Sequence, residues 1–514
     1  MNFSYIIVQC GGKGTRLGKY TQNRPKALVP LRNRPLIFHL FEKYPDKNFI
    51  VIGDYKYDIL AKYLEAFAKV RYIPIRAFDP GNMTGLKPAL EMIPDDKGLM
   101  IIWSDVLLGD GFDPGTLKNG NYVGITDRFS CSWSSENGVL DKVTKTGKGV
   151  AGCFLFQNRQ ALANIPASGS FTQWMKANRI PYKEMDMADS VETGTIEALE
   201  KLDSFDNRCR PYNRVIVEDE IVIKEGLTPE ARELLKREEN WYEKLSEYRF
   251  EGIPHIHSLK PLTMERIHGD NIFRANIPEE RKPFIIQKLI DRLDTMHHLQ
   301  TGAFNAFDIQ KEYYAKTLQR LGTIASCIPF ADKPYIIINH KKCRNILFNR
   351  ALFQEMTNRL PKDVEFGIIH GDGTFTNTLI DDDENIYYID PRGYFGNTSL
   401  IGDVNYDWAK LYYSIVGRFD QFNVKRFELD IGKDEIAYKI SPSGWEYYED
   451  FFFSKIKDCD PYRIRFIHAV IWLSLASHCW EDFDSMCLAF YNGLYLWNEL
   501  IEEAGNGTDD VDAF

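Results

Sequence analysis

Short apolar runs alternate with longer amphipathic stretches in the first part of the chain. Four runs of strand length, each bounded by turn residues, occupy residues 5–8, 49–52, 99–103 and 152–156. Helix-like stretches such as residues 57–70 lie between them. Because strands and helices that alternate along a chain form parallel sheets with crossover helices, this pattern predicts a parallel α/β sheet.

The pattern changes at the segment LDSFDNRCRPYN, around residues 203–212. The run RVIVEDEIVIKEG that follows predicts a strand pair with an acidic turn, and TPEARELLKREENWYEKLSEY predicts a charged helix. From Pro283 onward the pattern predicts a mostly helical chain that is interrupted by one loop-rich patch at residues 366–395. A domain boundary is therefore expected at residues 203–212.

The length supports this division, because 514 residues are too many for one ordinary hydrophobic core. We predict one domain over residues 1–205 and a second over residues 206–514. The second domain is expected to consist of a small lobe at about residues 206–268 and a large helical lobe at about residues 269–503.

Composition excludes several classes of protein. The formal net charge is -10, which argues against non-specific binding to nucleic acids or to membrane surfaces. The nine cysteines are scattered and none lies in a C-x-x-C pair, so reduced thiols in a cytoplasmic protein are expected rather than disulfides or a zinc site. The pattern predicts no signal peptide and no membrane insertion, and it leaves oligomerisation open.

The first apolar run leads into CGGKGTRLGKYTQNRPKALVP, which combines a glycine-rich loop with two spaced cations. Glycines allow backbone N–H groups to approach phosphate oxygens, so a loop of this kind between a strand and a helix suits phosphate binding. A dinucleotide-binding loop requires glycine at the position of Leu17, and a Walker loop requires Gly-Lys-Ser/Thr. The residues therefore indicate a phosphate-binding loop of another kind.

The longer stretch GGKGTRLGKYTQNRPKALVPLRNRPLI resembles the signature of the sugar-phosphate nucleotidylyltransferases, G-G-x-G-T-R-L followed by P-K-x-L-x-P. The resemblance implies a Rossmann-like domain whose glycine loop and arginine hold a nucleoside triphosphate. It also implies that the lysine neutralises phosphates at the reacting centre. The positions that match are Gly11, Gly12, Gly14, Thr15, Arg16 and Lys26.

The segment NMTGLKPAL resembles the base-binding stretch of the same family, G-T-A-G-A-L, and implies that Gly85 approaches the nucleotide base. Asn82 and Met83 depart from the family pattern, so the resemblance does not indicate which base is bound. In VLDKVTK, Lys145 corresponds to a lysine that binds the acceptor phosphate, with Lys142 and Lys148 as neighbouring alternatives.

Two carboxylates correspond to the family's magnesium ligands. Asp105 ends the apolar run in LMIIWSDVLL, and Glu192 lies in SVETGTIEALEKL, which resembles the family's later D-T-G-T element. Glutamate in place of the usual aspartate keeps the carboxylate and lengthens its side chain. The resemblance implies that both residues bind Mg²⁺.

A second dense group of polar residues lies in FGIIHGDGTFTNTLIDDDENIYYIDPRG. Asp372 is followed five positions later by Asn377, and a predicted strand at residues 386–389 then leads to Asp390. An aspartate that accepts a hydroxyl proton, with an asparagine and a second aspartate that hold magnesium, is the phosphoryl-transfer arrangement of kinases. A polar turn and hairpin would not explain two carboxylates and an amide at this spacing.

The same segment resembles the aminoglycoside phosphotransferase and choline kinase family, in which H-G-D-x-x-x-x-N and I-D-P recur. The resemblance implies a two-lobed protein-kinase-like domain in which Asp372 is the catalytic base. Asn377 and Asp390 correspond to the ligands of Mg²⁺.

Upstream segments match further parts of this family in order. Lys224 in IVIKEG corresponds to the strand lysine that grips nucleotide phosphates, and Glu238 corresponds to its helix partner, with Glu239 as the alternative. LTMERIHG resembles the hinge, where backbone groups from Glu265 to Ile267 would meet adenine.

Other polar residues are expected to have structural roles. Asp403 and Asp407 in GDVNYDWAKL resemble a segment that packs behind the metal site. Two histidine pairs, His297–His298 and His255–His257, lack surrounding cysteines or carboxylates in the sequence, so solvated or capping histidines are expected there rather than a metal site.

Taken together, the two resemblances predict a bifunctional enzyme that uses ATP, a second nucleoside triphosphate and Mg²⁺ at both sites. The second domain would phosphorylate a small hydroxyl compound, and the first would convert that phosphate into a nucleoside diphosphate ester for surface polysaccharide assembly. A sugar or polyol is the favoured compound. Two alternatives stay open: a choline or ethanolamine kinase with a CTP-dependent cytidylyltransferase, and a nucleotide-sensing regulatory protein with one inactive domain.

Overall fold

The computed structural model of the chain describes residues 1–78, 81–136, 138–142, 148–187, 189–202, 213–360 and 366–505. The chain divides into two units, Met1–Arg208 with Trp480–Asp484 and Cys209–Cys479 with Ser485–Phe514. The boundary predicted at residues 203–212 lies outside the described residues. Each unit has its own sheets and its own buried apolar residues.

The first unit is a mixed α/β structure. Its strands are β1 (Tyr5–Gln9), β2 (Pro30–Leu31), β3 (Arg34–Pro35), β4 (Asn48–Gly53), β5 (Arg71–Arg76), β6 (Leu99–Trp103), β7 (Val106–Leu107), β8 (Tyr122–Thr126), β9 (Trp133–Glu136), β10 (Val139–Lys142), β11 (Gly149–Phe156), β12 (Lys183–Asp186) and β13 (Val191–Glu192). Its helices are α1 (Leu36–Lys43), α2 (Tyr57–Phe67), α3 (Leu86–Glu91), α4 (Phe171–Ala177) and α5 (Ile196–Leu202).

The main sheet of the first unit is mixed: parallel strands lie on both sides of an antiparallel strand, β11, and on its far side β8 pairs parallel with β12. Strands β5, β4, β1 and β6 are neighbours and run parallel, whereas β11 pairs antiparallel with both β6 and β8. The prediction of a parallel sheet is therefore wrong for β11. Between β6 and β11 the described residues form the short strands β7 to β10 and no α-helix, and an antiparallel pair does not require a helical crossover.

The central strands explain why the sequence shows continuous apolar runs. Ile6, Ile7 and Val8 of β1 are at most 1% exposed, because a strand with covered faces on both sides buries consecutive side chains. Strands β1 and β6 run parallel, so their carboxyl ends lie at the same edge of the sheet. The loop after β1 and the aspartate after β6 therefore meet there.

The second unit follows with more strands than its sequence pattern indicates. They are β14 (Asn213–Val217), β15 (Ile221–Gly226), β16 (Ile256–Leu259), β17 (Leu262–Glu265), β18 (Gly269–Asn271), β19 (Thr301–Gly302), β20 (Tyr335–Ile338), β21 (Lys341–Arg344), β22 (Phe366–Ile368), β23 (Thr378–Asp381), β24 (Ile386–Tyr388), β25 (Tyr394–Phe395), β26 (Thr398–Ser399), β27 (Ile401–Asp403), β28 (Phe427–Ile431) and β29 (Glu435–Ile440).

The helices after residue 213 are α6 (Pro229–Glu247), α7 (Lys282–His297), α8 (Ala306–Ile309), α9 (Lys316–Ile324), α10 (Arg350–Asn358), α11 (Val404–Ile415), α12 (Phe419–Asn423), α13 (Glu449–Lys455), α14 (Pro461–Leu475) and α15 (Phe483–Gly505). A π-helical turn at Gln310–Ala315 joins α8 directly to α9. Of the described helices, none is both long enough and apolar enough to span a membrane.

A four-stranded sheet, in the order β14–β15–β17–β16, lies at the start of the second unit. The strand pair predicted from RVIVEDEIVIKEG forms β14 and β15, which pair antiparallel. Helix α6 begins at Pro229, and Thr228 caps it because its side chain accepts a hydrogen bond from the Ala231 N–H. The predicted charged helix is therefore present beside this sheet.

The expectation of a mostly helical chain after Pro283 is incomplete. A second four-stranded sheet, in the order β21–β20–β29–β28, lies in this part of the chain. In β20, Ile336 and Ile338 are buried, whereas Tyr335 and Ile337 are 42% and 41% exposed. All four residues are apolar, so the alternation of buried and exposed positions is invisible in the sequence.

A buried ion pair links β27 to α14. The Arg463 guanidinium donates a hydrogen bond to Asp403 Oδ2 at 2.6 Å, and the Tyr313 hydroxyl donates to the same oxygen at 2.7 Å. The side chains of Arg463 and Asp403 are 1% and 0% exposed. Asp403 therefore stabilises the packing of the second unit.

Replacing Arg463 with methionine should destabilise the second unit strongly. The change leaves the Asp403 carboxylate buried without its cation, which costs about 3–5 kcal/mol. Urea unfolding monitored by tryptophan fluorescence should show the loss. The matched control is Arg465→Met on the same helix, because the partly exposed Arg465–Glu503 pair should contribute at most about 1 kcal/mol. Equal midpoints for the two variants would contradict the assignment.

Candidate functional site

The glycine loop after β1 has a geometry that requires glycine at one position. Gly14 has a φ of +62° and begins the 3₁₀ turn at Thr15–Thr21. A Cβ atom at Gly14 would lie 2.9 Å from Thr21 Cγ2, so a side chain would collide there as well as strain the backbone. Gly12 and Thr15 are exposed, whereas Leu17 is fully buried. Leu17 therefore anchors the loop, and the residues that precede it face solvent.

Two ion pairs lie at the edge of the sheet where this loop emerges. Lys26 Nζ donates a hydrogen bond to Asp105 Oδ2 at 2.5 Å, and Arg16 Nη2 donates to Glu192 Oε1 at 2.7 Å. Lys26 is nearly buried, whereas the Arg16 side chain is 60% exposed. The predicted cations and the predicted carboxylates are therefore brought together as two pairs.

The two carboxylates are held on adjacent backbone segments. Strand β13 pairs antiparallel with β7, which places Glu192 opposite Val106. The Thr193 N–H donates to the Asp105 carbonyl oxygen at 2.8 Å. This pairing fixes the spacing of the carboxylates, because Glu192 belongs to the two-stranded ladder and Asp105 directly precedes its other strand.

Gly194 lies beside the ion pair of Arg16 and Glu192, and our sequence-based predictions assign it no role. A Cβ atom there would lie 2.5 Å from Glu192 Oε1 and 2.8 Å from Arg16 Nη2. Only glycine leaves room for this ion pair. The signal was the T-G-T within SVETGTIEALEKL, where the glycine directly follows the element that carries Glu192.

The segment around Gly85, expected to approach the nucleotide base, owes its conformation to packing within the first unit. Gly85 has a φ of +83°, and a Cβ atom there would lie 2.6 Å from Ile52 Cγ2, so glycine is required. Asn82 anchors the segment, because its carbonyl oxygen accepts from Gln9 Nε2 and its Oδ1 accepts from the Phe171 N–H. Met83 is buried. The departures from the family pattern are thus explained by packing.

The lysine assigned to the acceptor phosphate, Lys145, lies outside the described residues. Its two alternatives, Lys142 and Lys148, are both exposed. The choice among the three stays a prediction.

The second unit contains a lysine shared by two carboxylates. Lys224 on β15 donates a hydrogen bond to Glu238 Oε1 on α6 at 2.6 Å and to Asp390 Oδ1 at 2.5 Å. The side chains of Lys224 and Glu238 are each 10% exposed. Burial raises the pKa of the neighbouring Glu239, and the lysines that oppose this rise are Lys260 and Lys236 rather than Lys224, so Glu238 is the partner.

Burial and charge act in opposite directions on this group. Burial lowers the pKa of Lys224, but the Asp390 and Glu238 carboxylates more than compensate and raise it above its ordinary value. Burial also raises the pKa of Glu238 to about 7, and the Lys224 ammonium opposes that rise. A single ammonium therefore serves two carboxylates.

Asp372 is oriented by two donors. Its Oδ2 accepts a hydrogen bond from Asn377 Nδ2 at 2.9 Å, and its Oδ1 lies 2.8 Å from Lys410 Nζ. The Asn377 carbonyl oxygen accepts from the Ile389 N–H at 3.0 Å, which places Asn377 beside the residue that precedes Asp390. The three predicted polar residues therefore occupy neighbouring loops.

A buried aspartate supports the loop that carries Asp372. Asp407 accepts hydrogen bonds from the His370 N–H at 2.8 Å and the Gly371 N–H at 2.7 Å. Its Oδ2 also lies 3.1 Å from His297 Nε2, and both side chains are buried. His297 is therefore neither solvated nor a capping residue, contrary to the prediction, because it packs against this carboxylate.

The predicted hinge lies where β17 ends. The Glu265 N–H donates to the His255 carbonyl oxygen, and the Arg266 N–H donates to the Glu220 carbonyl oxygen, each at 2.8 Å. A cavity of about 250 Å³ is lined by these hinge residues and by the β23–β24 turn, namely Glu265, Arg266, Ile267, His268, Asp381, Asp382, Asp383 and Tyr387. The hinge residues thus face a concave surface.

The polar side chains predicted to bind metal in the first and in the second unit fit Mg²⁺. This ion prefers oxygen ligands and takes only one or two carboxylates from a protein. In the first unit these are the carboxylates of Asp105 and Glu192, each already opposed by a cation. In the second unit Asn377 Nδ2 is engaged with Asp372, which directs its amide oxygen elsewhere, and Asp390 supplies a half-exposed carboxylate. Among the described residues, no group of three or more His, Cys, Asp and Glu side chains forms a metal cluster.

Comparison with known proteins finds a family match in the first unit. Residues 6–110 match the MobA-like NTP transferase domain. The first unit thus carries a nucleotidyltransferase-type domain. Its glycine loop, Lys26 and Asp105 fall within the matched residues, whereas Glu192 and the whole second unit lie beyond them.

Named relatives match about a fifth of the chain. "Bifunctional protein GlmU" of Methanococcus maripaludis (strain C7) is 32% identical over 110 residues, 21% of this chain and 26% of that protein. "UTP--glucose-1-phosphate uridylyltransferase AglF" of Haloferax volcanii is 29% identical over 104 residues, 19% of this chain and 42% of that protein. The chain thus spans about a quarter of the GlmU relative and under half of AglF.

Among solved structures, the inositol-1-phosphate CTP transferase from T. maritima has a TM-score of 0.33 and 14% identity, over 39% of this chain and 92% of that one. The CTP:phosphocholine cytidylyltransferase LicC from Streptococcus pneumoniae has a TM-score of 0.32 and 19% identity, over 39% of this chain and 98% of that one.

Replacing Lys224 with methionine should weaken the binding of Mg·ATP by about 10- to 100-fold, the value of a charge-assisted hydrogen bond, if this lysine grips nucleotide phosphates. Calorimetric titration with a non-hydrolysable ATP analogue measures the change. Lys236→Met is the matched control, because Lys236 is an exposed lysine on α6 that pairs only with Glu233 among the ion pairs described here. Unchanged affinity in a folded Lys224 variant would remove the residue from the site.

Proposed function

We propose that the chain is a bifunctional enzyme that joins an alcohol kinase to a nucleotidylyltransferase. The proposal for the first unit is supported by the match to nucleotidyltransferase-type domains and by the ion pairs Lys26–Asp105 and Arg16–Glu192 at the end of β1 and β6. The observation that most supports the nucleotidylyltransferase proposal is that these two ion pairs lie beside a glycine-rich loop.

At the first unit, an oxygen of a phosphomonoester attacks the α-phosphorus of a nucleoside triphosphate. A new P–O bond forms, the bond to the β-phosphate oxygen breaks, and pyrophosphate leaves. The nucleophile is already anionic, so the reaction requires positioning and charge neutralisation rather than a base. Arg16 and Lys26 supply positive charge, and Asp105 with Glu192 would hold Mg²⁺, which neutralises the reacting phosphates when bound.

The proposal for the second unit rests on the group formed by Lys224, Glu238 and Asp390 and on Asp372 beside Asn377. A hydroxyl oxygen of the acceptor attacks the γ-phosphorus of ATP, the bond to the β–γ bridging oxygen breaks, and ADP leaves. Asp372 accepts the hydroxyl proton, and Lys224 holds nucleotide phosphates. Asn377 and Asp390 would hold Mg²⁺, which would neutralise negative charge on those phosphates.

The two reactions are chemically matched, because the phosphomonoester made by the kinase is the type of acceptor that the nucleotidylyltransferase consumes. We therefore propose a relay from a hydroxyl compound through its phosphate to a nucleoside diphosphate ester. Such esters are the activated donors for surface polysaccharide assembly, and a sugar or polyol is the favoured starting compound. Since nucleoside triphosphates are the proposed substrates, the cytoplasm is the proposed location.

Each site should work without the other, because their ligand sets share no residue. Asp105→Asn should abolish pyrophosphate release from a nucleoside triphosphate and a phosphomonoester, while leaving ADP formation from ATP and the alcohol. Asp390→Asn should have the opposite effect. A screen of nucleotides and alcohols that follows pyrophosphate and ADP separately measures both. If either substitution silences both activities in a folded protein, the two-site proposal is wrong.

The relay predicts complementation between these two variants. Neither alone should convert the free alcohol, ATP and the second nucleoside triphosphate into the final ester. A mixture of the two should do so, after a lag that shortens as protein concentration rises, because the phosphate ester diffuses from one protein to the other. Chromatography of the nucleotide products measures the lag. If the kinase product is not accepted by the first unit even at about millimolar concentration, the upper end of usual KM values, the relay is refuted.

A further inference from the structure

A group of basic side chains beside Asp372 has no role in the mechanism above. We call it the basic cluster, and its members are Lys316, Arg320, Arg392 and Lys410. Arg392 lies two residues after Asp390, and Lys410 lies on α11. Lys316 and Arg320 lie on α9, directly after the π-helical turn.

The basic cluster shares one buried carboxylate. Glu312, in the π-helical turn, lies 2.6 Å from Arg392 Nη2 and also accepts a hydrogen bond from Lys316 Nζ. The Glu312 side chain is 2% exposed, whereas those of Arg392 and Lys316 are 13% and 19% exposed. Both cations therefore present part of their surface to solvent, and the carboxylate between them does not.

Positive charges crowd one another in this group. Burial, followed by the nearby Arg392 guanidinium, lowers the pKa of Lys316 to about 7 despite Glu312. Burial also lowers the pKa of Arg320, and Arg392 adds to that effect. Arg320, Arg392 and Lys410, with the partly protonated Lys316, face two carboxylates, Glu312 and Asp372, so the cluster has an excess of positive charge.

The basic cluster adjoins the proposed catalytic base. Lys410 Nζ lies 2.8 Å from Asp372 Oδ1. The Arg392 N–H donates to the His370 carbonyl oxygen at 2.8 Å, which holds Arg392 against the loop that carries Asp372. The Asp372 side chain is 41% exposed. A hydroxyl group bound at Asp372 would therefore bring the rest of its molecule close to these cations.

The aromatic rings in the same place are already covered by a cation. The Arg392 guanidinium carbon lies 4.1 Å from the centre of the Tyr394 ring and 5.2 Å from that of Tyr406. Arg237 lies over Tyr394 as well, at 4.7 Å. A quaternary ammonium would need such ring faces for its binding, and here it would meet guanidinium groups of its own charge.

We propose that the hydroxyl compound phosphorylated by the second unit carries an anionic group, a carboxylate or a phosphate, that is bound by Arg392 and its neighbours in the basic cluster. The inference rests on the proposed phosphotransfer at Asp372. Arginine binds both anions through two parallel hydrogen bonds, and the excess of positive charge favours a ligand of opposite sign. The product would then carry two anionic groups, of which only the new phosphomonoester goes on to nucleotidyl transfer.

The test compares hydroxyl compounds that differ in charge. Hydroxy acids, sugar acids and sugar phosphates are assayed beside their neutral parent alcohols and sugars and beside amino alcohols such as choline. ADP release in excess of the rate without acceptor is measured for each. Acids and phosphates should have a kcat/KM at least tenfold above that of their neutral parents, and choline should give no excess. The two anionic subsets distinguish carboxylate from phosphate recognition.

Variants connect the preference to the residues. Arg392→Gln should raise the KM for the best anionic acceptor by at least tenfold and reduce the preference over its neutral parent, whereas Arg392→Lys should retain part of it. The KM for ATP should stay nearly unchanged in both. Lys236→Gln, which removes an exposed lysine of the same unit, should leave every parameter unchanged.

The outcomes separate this inference from the proposed function. If Mg·ATP raises the Tm of the protein but a neutral or cationic compound is the best acceptor, or no anionic compound is phosphorylated, the inference is overturned and the kinase proposal stands. If Mg·ATP neither binds nor is consumed with any compound, the kinase proposal itself fails. An Arg392→Gln variant that keeps the full preference for the anion would also overturn the inference.

Discussion

The arrangement of both units depends on a lysine ammonium held against an aspartate carboxylate that follows a strand. Lys26 meets Asp105 after β6, and Lys224 meets Asp390 after β24, each at 2.5 Å. Charges placed so close together need fixed backbone on both sides, because a small displacement would leave the two lysines, whose side chains are each 10% exposed, without their partners. The glycine loop, the β7–β13 ladder and helix α6 supply that backbone.

Many of the charged residues of these sites could be predicted from the sequence, because they lie next to strands and turns that are easily recognised there. Asp105 follows a continuous apolar run, and Lys224 lies in a strand whose partner is only a short turn away. The pairing of Lys224 with Glu238 was implied by the family resemblance, and the two residues are only 14 positions apart. What the sequence could not indicate is convergence over long separations, as between Arg16 and Glu192 or between Lys410 and Asp372.

The failures have physical causes of the same kind. Strand β20 consists of four apolar residues, so its two faces cannot be told apart in the sequence, although only one is buried. His297 resembled a surface histidine because the carboxylate that contacts it, Asp407, is more than one hundred residues away. Arg392 stands in the quoted segment IDPRG, yet its significance depends on Glu312 in a distant π-helical turn. In each case the role of the residue depends on tertiary contacts that the sequence does not show.

Asp390 has a backbone φ of +57°, a conformation that non-glycine residues adopt at a cost of about 1–2 kcal/mol. Asparagine and aspartate are the non-glycine residues that tolerate it best, because their short polar side chains bond locally. The protein therefore gives up folding stability at this position to aim one carboxylate. Selection for stability alone would favour glycine here, so a chain in this fold that kept its shape but lost its chemistry would be expected to drift toward glycine at this position first.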